Sequence, residues 1–202
     1  MKTSSAHEAR RALGDAAIVV ETLFHGAEVM TPQEMKDYEP GTVFGARLGV
    51  TAPTGEYDNT KVINLGTNRW SFAGELGLAA PVGKWSIEAM VAARFFTAND
   101  DYFNGLRLTQ DPLLVAKLHA VRSIRPGFWW ALAAGYGYGA RTAIDGVPRA
   151  TTQRNWRVFV AVAYPISPQQ GFSVSIGSGG NLGAGTDFDA ITVGYQYSWG
   201  KG

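Results

Sequence analysis

The stretch Ile191-Thr192-Val193-Gly194-Tyr195-Gln196-Tyr197-Ser198-Trp199 decides the fold class. Ile191, Val193, Tyr195, Tyr197 and Trp199 alternate with Thr192, Gly194, Gln196 and Ser198. Successive side chains of a strand point to opposite faces, so one face here is wholly apolar and aromatic and the other small or polar. Residues 156–164 repeat the pattern. Trp156, Val158, Val160, Val162 and Tyr164 share one parity, and Arg157, Phe159, Ala161 and Ala163 share the other. In residues 85–96, Trp85, Ile87, Ala89, Val91, Ala93 and Phe95 oppose Ser86, Glu88, Met90, Ala92, Arg94 and Phe96.

The same period of two runs through most of the chain and predicts about nine strands. They lie near residues 15–24, 42–52, 70–80, 85–96, 112–123, 128–139, 155–165, 171–177 and 188–199. Most are about 9 to 12 residues long, against about 5 or 6 in ordinary globular proteins. A tilted strand of about 9 to 11 residues is what crosses a bilayer core. Residues 81–84, 124–127 and 167–170 read as short turns. Residues 53–69, 97–111, 140–154 and 178–187 read as long loops rich in Gly, Asn, Asp and Thr. Short turns at one end and long loops at the other are the habit of outer-membrane barrels. Residues 25–41 are long but fall at the short-turn end. Thr31 as N-cap, Pro32 at N1, Glu34 completing a capping box and Pro40-Gly41 as a stop predict a small helix there.

Composition narrows the class. The chain of 202 residues suits one sizeable domain, here a single β-barrel over 14–202 behind a flexible N-terminal segment, 1–13. Eighteen Lys and Arg against 17 Asp and Glu leave a net charge of +1, too little field to hold nucleic acid. No cysteine is present, which excludes disulfides and Cys-ligated metals. Charged residues make up 17%, below the usual share of about 25%, while 46% are apolar, so neither a charged soluble surface nor disorder fits. The longest uncharged stretch, 158–186, is broken by Pro165, Pro168 and many glycines and forms no spanning helix. The first fifteen residues carry charge without an apolar region, so no signal peptide is expected in this chain.

Amphipathic strands also build soluble barrels, with the apolar face inward. Three features favour lipid outside. Trp70, Trp85, Trp130, Trp156, Tyr164 and Trp199 sit at the ends of apolar faces, where a bilayer interface collects aromatic rings into two girdles. The opposite face carries about one ion per strand, namely Glu21, Arg47, Glu75, Glu88, Arg94, Lys117 and Arg157, sparser than a water-facing surface. Its remaining residues are mostly Gly, Ala and Ser, which suit a crowded lumen. His119 shares the parity of Lys117, and Phe96 and Phe159 share the inward parity and offer stacking surfaces to a solute.

Several stretches resemble the meta-pathway phenol-degradation family of outer-membrane proteins. They are Gly14-Asp15, Pro53-Thr54-Gly55-Glu56-Tyr57-Asp58 and the long run Asn64-Leu65-Gly66-Thr67-Asn68-Arg69-Trp70-Ser71-Phe72. Shorter matches are Phe95-Phe96-Thr97 with Asn99, Gln110-Asp111-Pro112, Asp145-Gly146, Asn155-Trp156-Arg157, Gly185-Thr186-Asp187-Phe188-Asp189, and Tyr195-Gln196-Tyr197 with Trp199. The resemblance implies an antiparallel transmembrane β-barrel of twelve or so strands, a signal peptide and about three strands ahead of those seen here, and a transport role without catalytic residues. Since an antiparallel barrel closes only with an even number of strands, nine should make an open sheet with edges near 15–24 and 188–199.

Other chemistry finds little footing. The glycines around 135–139 and 177–180 miss the dinucleotide-binding spacing. His7, His25 and His119 are too scattered for a local metal motif, and Asp100-Asp101 and Asp187 with Asp189 read as solvated loop acids. A barrel hydrolase would need a serine, a histidine and an orienting group together, and no Gly-x-Ser-x-Gly elbow occurs in a strand-to-helix setting. The expectation is therefore an outer-membrane channel of a Gram-negative bacterium, its partners the bilayer and a small, in some cases aromatic, solute, with no cofactor and no metal. A purely structural barrel, a barrel hydrolase and a soluble ligand-binding barrel are the alternatives. The mixed signs of the inward charges point to weak ion selectivity and small neutral or polar solutes.

Overall fold

The computed structural model describes residues 13–27, 31, 34, 39, 41–61, 63–183 and 187–199. Thirteen strands occur among them: β1 (Ala16–His25), β2 (Val43–Ala52), β3 (Ser71–Val82), β4 (Trp85–Phe96), β5 (Asn99–Tyr102), β6 (Leu106–Gln110), β7 (Leu113–Arg125), β8 (Phe128–Gly139), β9 (Thr142–Ile144), β10 (Val147–Pro148), β11 (Gln153–Ser167), β12 (Gln170–Asn181) and β13 (Phe188–Tyr197). The nine long ones form one antiparallel sheet in the order β1-β2-β3-β4-β7-β8-β11-β12-β13. Each pairs only with its neighbours in the chain once the loop strands are set aside, a meander. Among the described residues β1 and β13 do not pair with each other, so the sheet is open, with the two edges expected. The proposed N-terminal segment lies outside the described residues except for Leu13, and so does most of the expected helix. Its capping box is present: Glu34 accepts hydrogen bonds from the Thr31 N–H at 2.7 Å and hydroxyl at 2.8 Å.

Three tight turns close one end. Gly83-Lys84, Pro126-Gly127 and Pro168-Gln169 join β3 to β4, β7 to β8 and β11 to β12. Gly83 and Gly127 have φ of 62° and 74°, a region that costs glycine nothing.

The long loops at the other end correct two expectations. Residues 97–111 and 140–154 are not irregular: they carry β5, β6, β9 and β10, a second, four-stranded sheet in the order β10-β9-β6-β5. Asn104-Gly105 and Asp145-Gly146 turn its two hairpins with all four φ positive. Such dipeptides are the strongest short-range hairpin signal, but the flanking runs are too short and polar to show alternation. The strand expected at 171–177 runs on through Asn181, because Gly179 and Gly180 are part of the ladder to β11. A Cβ at Gly179 would run into the Phe188 ring and one at Gly180 would meet the Trp156 indole, so rings from neighbouring strands lie over these glycines.

There is no conventional core. Among the described residues, the only buried ones other than glycine are Ala140 and Asn99. Ile18, Leu48, Leu76, Val91, Leu118, Val160, Ile176 and Ile191 are exposed along the convex face. In water such a surface would forfeit most of the burial that stabilises a domain of this size.

Candidate functional site

Register places the inward residues. Side chains of β1, β2, β3, β4, β7, β8 and β11 surround a single concavity of about 620 Å³. Because Val19 on β1 and Phe159 on β11 line the same space, the sheet is strongly curled. Arg47, Glu75, Arg94, Lys117, His119, Arg157 and Phe159 all border it. Glu21 and Glu88 border a smaller concavity of about 170 Å³ toward the turn end, shared with Arg47, Glu75, Lys117 and His119.

The charges are mixed in sequence but sorted in space. Glu21, Arg47 and Glu75 are consecutive cross-strand neighbours on β1, β2 and β3, so the arginine stands between two acids. Glu88 on β4 faces His119 on β7, with Oε2 to Nδ1 at 3.5 Å. The other three cations have no such company. Arg94 lies between Ala73 and Leu113, Lys117 between Met90 and Gly135, and Arg157 between Gly135 and Gly179. Among the described residues none of the three forms an ion pair. The β4-to-β11 side thus carries three cations without an acid in register beside the one Glu88–His119 pair, a net basic wall, while β1 to β3 carry acid, base and acid in register with no ion pair closed among them in the described residues.

The two inward phenylalanines differ. Phe159 lines the concavity, lies over Gly177 and approaches Phe188 at 6.3 Å between ring centroids. Phe96 lies at the loop-end rim with the Arg69 guanidinium 4.7 Å above its ring, so that face is already covered.

Aromatic side chains gather in two groups. Trp85 and Trp130 meet edge to face at 5.0 Å near the turns, and Tyr164 meets Phe128 at 5.4 Å. Tyr197, the last residue of β13, and Trp199 just beyond it stack at 6.3 Å. Arg122 lies 5.6 Å over the Trp85 ring, and Arg125 lies 5.4 Å over Tyr164. Trp70, stacked on Phe72 at 6.5 Å, and Trp156 stand at the loop end. Trp130 and Tyr138 on β8, like Trp156 and Tyr164 on β11, are eight residues apart on one face. At about 3.3 Å per residue and a tilt of about 40°, that separation is roughly 20 Å along the barrel axis, close to the apolar band of an outer-membrane protein.

The loops hold residues that the period-two reading passed over. Asn99 is 1% exposed. Its Nδ2 donates to the Tyr57 hydroxyl at 3.0 Å and to the Thr67 carbonyl at 3.2 Å, and its Oδ1 accepts from Asn68 Nδ2 and the Asp101 N–H, both at 3.0 Å. Asp15 accepts from the Gly55 N–H at 2.9 Å, the Thr67 N–H at 2.8 Å and the Thr67 hydroxyl at 2.6 Å. Burial pushes the Asp15 carboxyl up, but these three hydrogen bonds outweigh it and hold the group below the usual carboxylate range. Arg69 donates to the Gln110 side chain, whose amide in turn donates to the Ala140 carbonyl at 3.2 Å. Burial lowers the Arg69 pKa from its ordinary value, yet a guanidinium stays charged throughout the accessible range. The long run 64–72 thus ties three loops together. The run stands out in the sequence only through the family resemblance, not through the alternation.

Catalytic and metal chemistry gain nothing from the geometry. No serine is hydrogen-bonded to His119 among the described residues; its partner is Glu88. Asp100 is paired with Arg107 at 2.8 Å, Asp101 accepts from Asn59 at 2.6 Å, and Asp187 accepts from the Asn181 N–H at 3.0 Å. Among the described residues no cluster of three or more His, Asp or Glu could hold a metal ion.

The family model described as "Putative MetA-pathway of phenol degradation" matches residues 9–199. Among solved structures, the chain is similar to the COG4313 outer membrane channel from Pseudomonas putida F1. The sequences are 21% identical, and the superposition covers 93% of this chain and 67% of that one with a TM-score of 0.70. At this identity the likeness is one of fold. No curated protein gives a significant match.

Proposed function

The chain belongs to the MetA-pathway phenol-degradation family, and from that premise we propose that it forms an outer-membrane channel passing small solutes, aromatic ones among them, by passive diffusion. The observation that carries the reading is the inversion of the sheet. Apolar side chains cover the convex face between two groups of aromatic rings, while the charged residues border the concavity. Lipid stabilises the first arrangement and water in a lumen the second.

An open edge is not tolerated in hydrocarbon, because its N–H and C=O groups find no partner there. In the working channel the edges of β1 and β13 are therefore joined through further strands, a number that makes the total even. The matched outer-membrane channel has about a third of its length beyond the region of likeness, which is compatible with such closure. A barrel of about twelve strands lies between side-chain-filled small barrels and open porins, so its lumen is narrow and its inward residues act as the filter. The role assigned to the protein is non-catalytic.

The test is reconstitution of full-length protein in planar bilayers and liposomes, with and without small aromatic solutes. Conductance steps and solute flux are expected, and Arg94→Ala or Arg157→Ala should change them while the barrel still folds. Absence of both conductance and flux, with those substitutions altering only stability, would replace the channel with a structural or enzymatic barrel.

A further inference from the structure

We propose that Lys117 and Arg157, facing each other across Gly135, form a binding site for the carboxylate of a small aromatic acid, with Phe159 receiving its ring. The inference rests on the channel reading for its biological sense, but the site itself rests on register.

Lys117, Gly135 and Arg157 are consecutive cross-strand neighbours on β7, β8 and β11. Two strand spacings put the backbones of the two cations about 10 Å apart. Between them is a residue without a side chain. A Cβ at Gly135 would stand 3.6 Å from Lys117 Cγ, so the lysine stem already runs alongside this floor and the space above it belongs to the concavity. Both cations lack a carboxylate partner among the described residues, whereas the inward acids stand in register with bases on neighbouring strands: Glu21 and Glu75 with Arg47, and Glu88 with His119. Arg94, also unpaired, adds a third positive charge to the same concavity. An anion entering it meets hydrogen-bond donors that have no protein acceptor to give up. Charge-assisted hydrogen bonds of this kind are about twice as strong as neutral ones.

The ring preference comes from the next position. Phe159 follows Arg157 by two residues on the same face, a rise of roughly 7 Å, comparable to the span of a benzene ring bearing a carboxylate. Its cross-strand neighbours are Ala133 and Gly177, which leave the ring accessible from the concavity. The arginine is itself braced by Phe188, whose ring lies 5.7 Å from its guanidinium carbon. The site therefore combines two cations, one of them braced, with an apolar shelf at a remove that suits an aromatic carboxylate. This replaces the weak selectivity that the mixed inventory of charges suggests.

The test uses benzoate and its neutral isostere benzamide with full-length protein. Equilibrium dialysis against protein in detergent micelles reads the site, and liposome flux reads the channel. Benzoate should bind and benzamide should not. The double substitution Lys117→Gln with Arg157→Gln should weaken benzoate binding at least about tenfold, while the charge-keeping pair Lys117→Arg with Arg157→Lys retains most of it and guards against misfolding. Equal binding of the two solutes, or benzoate binding indifferent to the Gln pair, overturns the site whatever the flux. Charge-dependent benzoate binding without any flux of either solute upholds the site and removes the channel reading instead.

Discussion

Val160 offers the sharpest test of which face meets lipid. It stands at the middle of β11, with Trp156 and Tyr164 four residues to either side on the same face. At about 3.3 Å per residue and a tilt of about 40°, each aromatic ring is displaced from it by roughly 10 Å along the bilayer normal, so Val160 is at mid-depth. Its cross-strand neighbours, Leu132 and Ile176, are apolar and exposed, and it is itself 50% exposed. Val160→Arg removes a methyl-bearing side chain from this band and places a guanidinium there. The cost at the midplane is about 2–4 kcal/mol, or a fall of roughly 30- to 1,000-fold in the folding equilibrium constant. Ala161 supplies the control. One residue further, it points to the other face, between Ala131 and Ser175. Ala161→Arg should cost under about 1 kcal/mol, since lumen substitutions leave the lipid contact intact. Urea titration of full-length protein in phospholipid vesicles, followed by tryptophan fluorescence, measures both. If the two arginines cost the same, or if Val160→Arg folds into vesicles as readily as the parent, the convex face is not the lipid face.

Gly177→Ala should cost about 1–3 kcal/mol, because the added methyl collides with the Phe159 ring; in a Phe159→Ala background most of that cost should vanish, and a double-mutant cycle with no coupling would show that the ring does not lie over the glycine. The Asp15 tether has a pH signature. Its carboxyl is held below the usual range in the folded protein, so its contribution is full at neutral pH and is lost only as the pH falls through that lowered value. The hydrogen-exchange protection factors of the Gly55 and Thr67 N–H groups should fall only once the pH drops below the ordinary carboxylate range, whereas Asp15→Asn should show low protection already at neutral pH; identical profiles would refute the tether. Asn99→Ala leaves the Tyr57 hydroxyl, the Asn68 amide and the Asp101 N–H without their partner and should destabilise the loops by about 2 kcal/mol or more. Limited proteolysis of residues 97–111 is the readout, and protection equal to the parent's would rule out a structural role for the cluster.

How far the sequence can be read follows from which physics is local. Alternation is local, so the long strands and their facing show directly in Ile191–Trp199 or Trp85–Phe96, and the tight turns at Gly83 and Gly127 with them. The extension of β12 does not show. Ser178, Gly179 and Gly180 have the composition of a loop, and the reason they are a strand, the rings of Trp156 and Phe188 lying over them, belongs to other segments. The hairpins at Asn104-Gly105 and Asp145-Gly146 were visible as dipeptides, but a second sheet among the loops required pairing between β6 and β9, about 35 residues apart. The inward set of Arg47, Glu75, Arg94, Lys117 and Arg157 was legible as a list; which of them have partners was not.

That last gap is a matter of register. A one-residue slip turns every side chain to the wrong face and is forbidden by the apolar band, but a two-residue slip preserves both faces. Moved by two along β7, Glu88 would face Lys117 instead of His119, and the basic wall would lose a cation to an ion pair. Nothing in the alternation of β4 or β7 prevents this. What stands against it is the connection between the two strands, residues 97–112, because that connection is not slack. Asn99 anchors its start to Tyr57, Thr67 and Asn68, while Gln110 and the Asp111 N–H anchor its end to Arg69 and the Arg141 carbonyl, at 2.8 Å for the last. A slip of two residues displaces one anchor against the other by roughly 7 Å, more than any of these hydrogen bonds survives. The buried polar cluster in the loops therefore sets which charges face each other in the lumen, and the open basic wall depends on residues that never touch it.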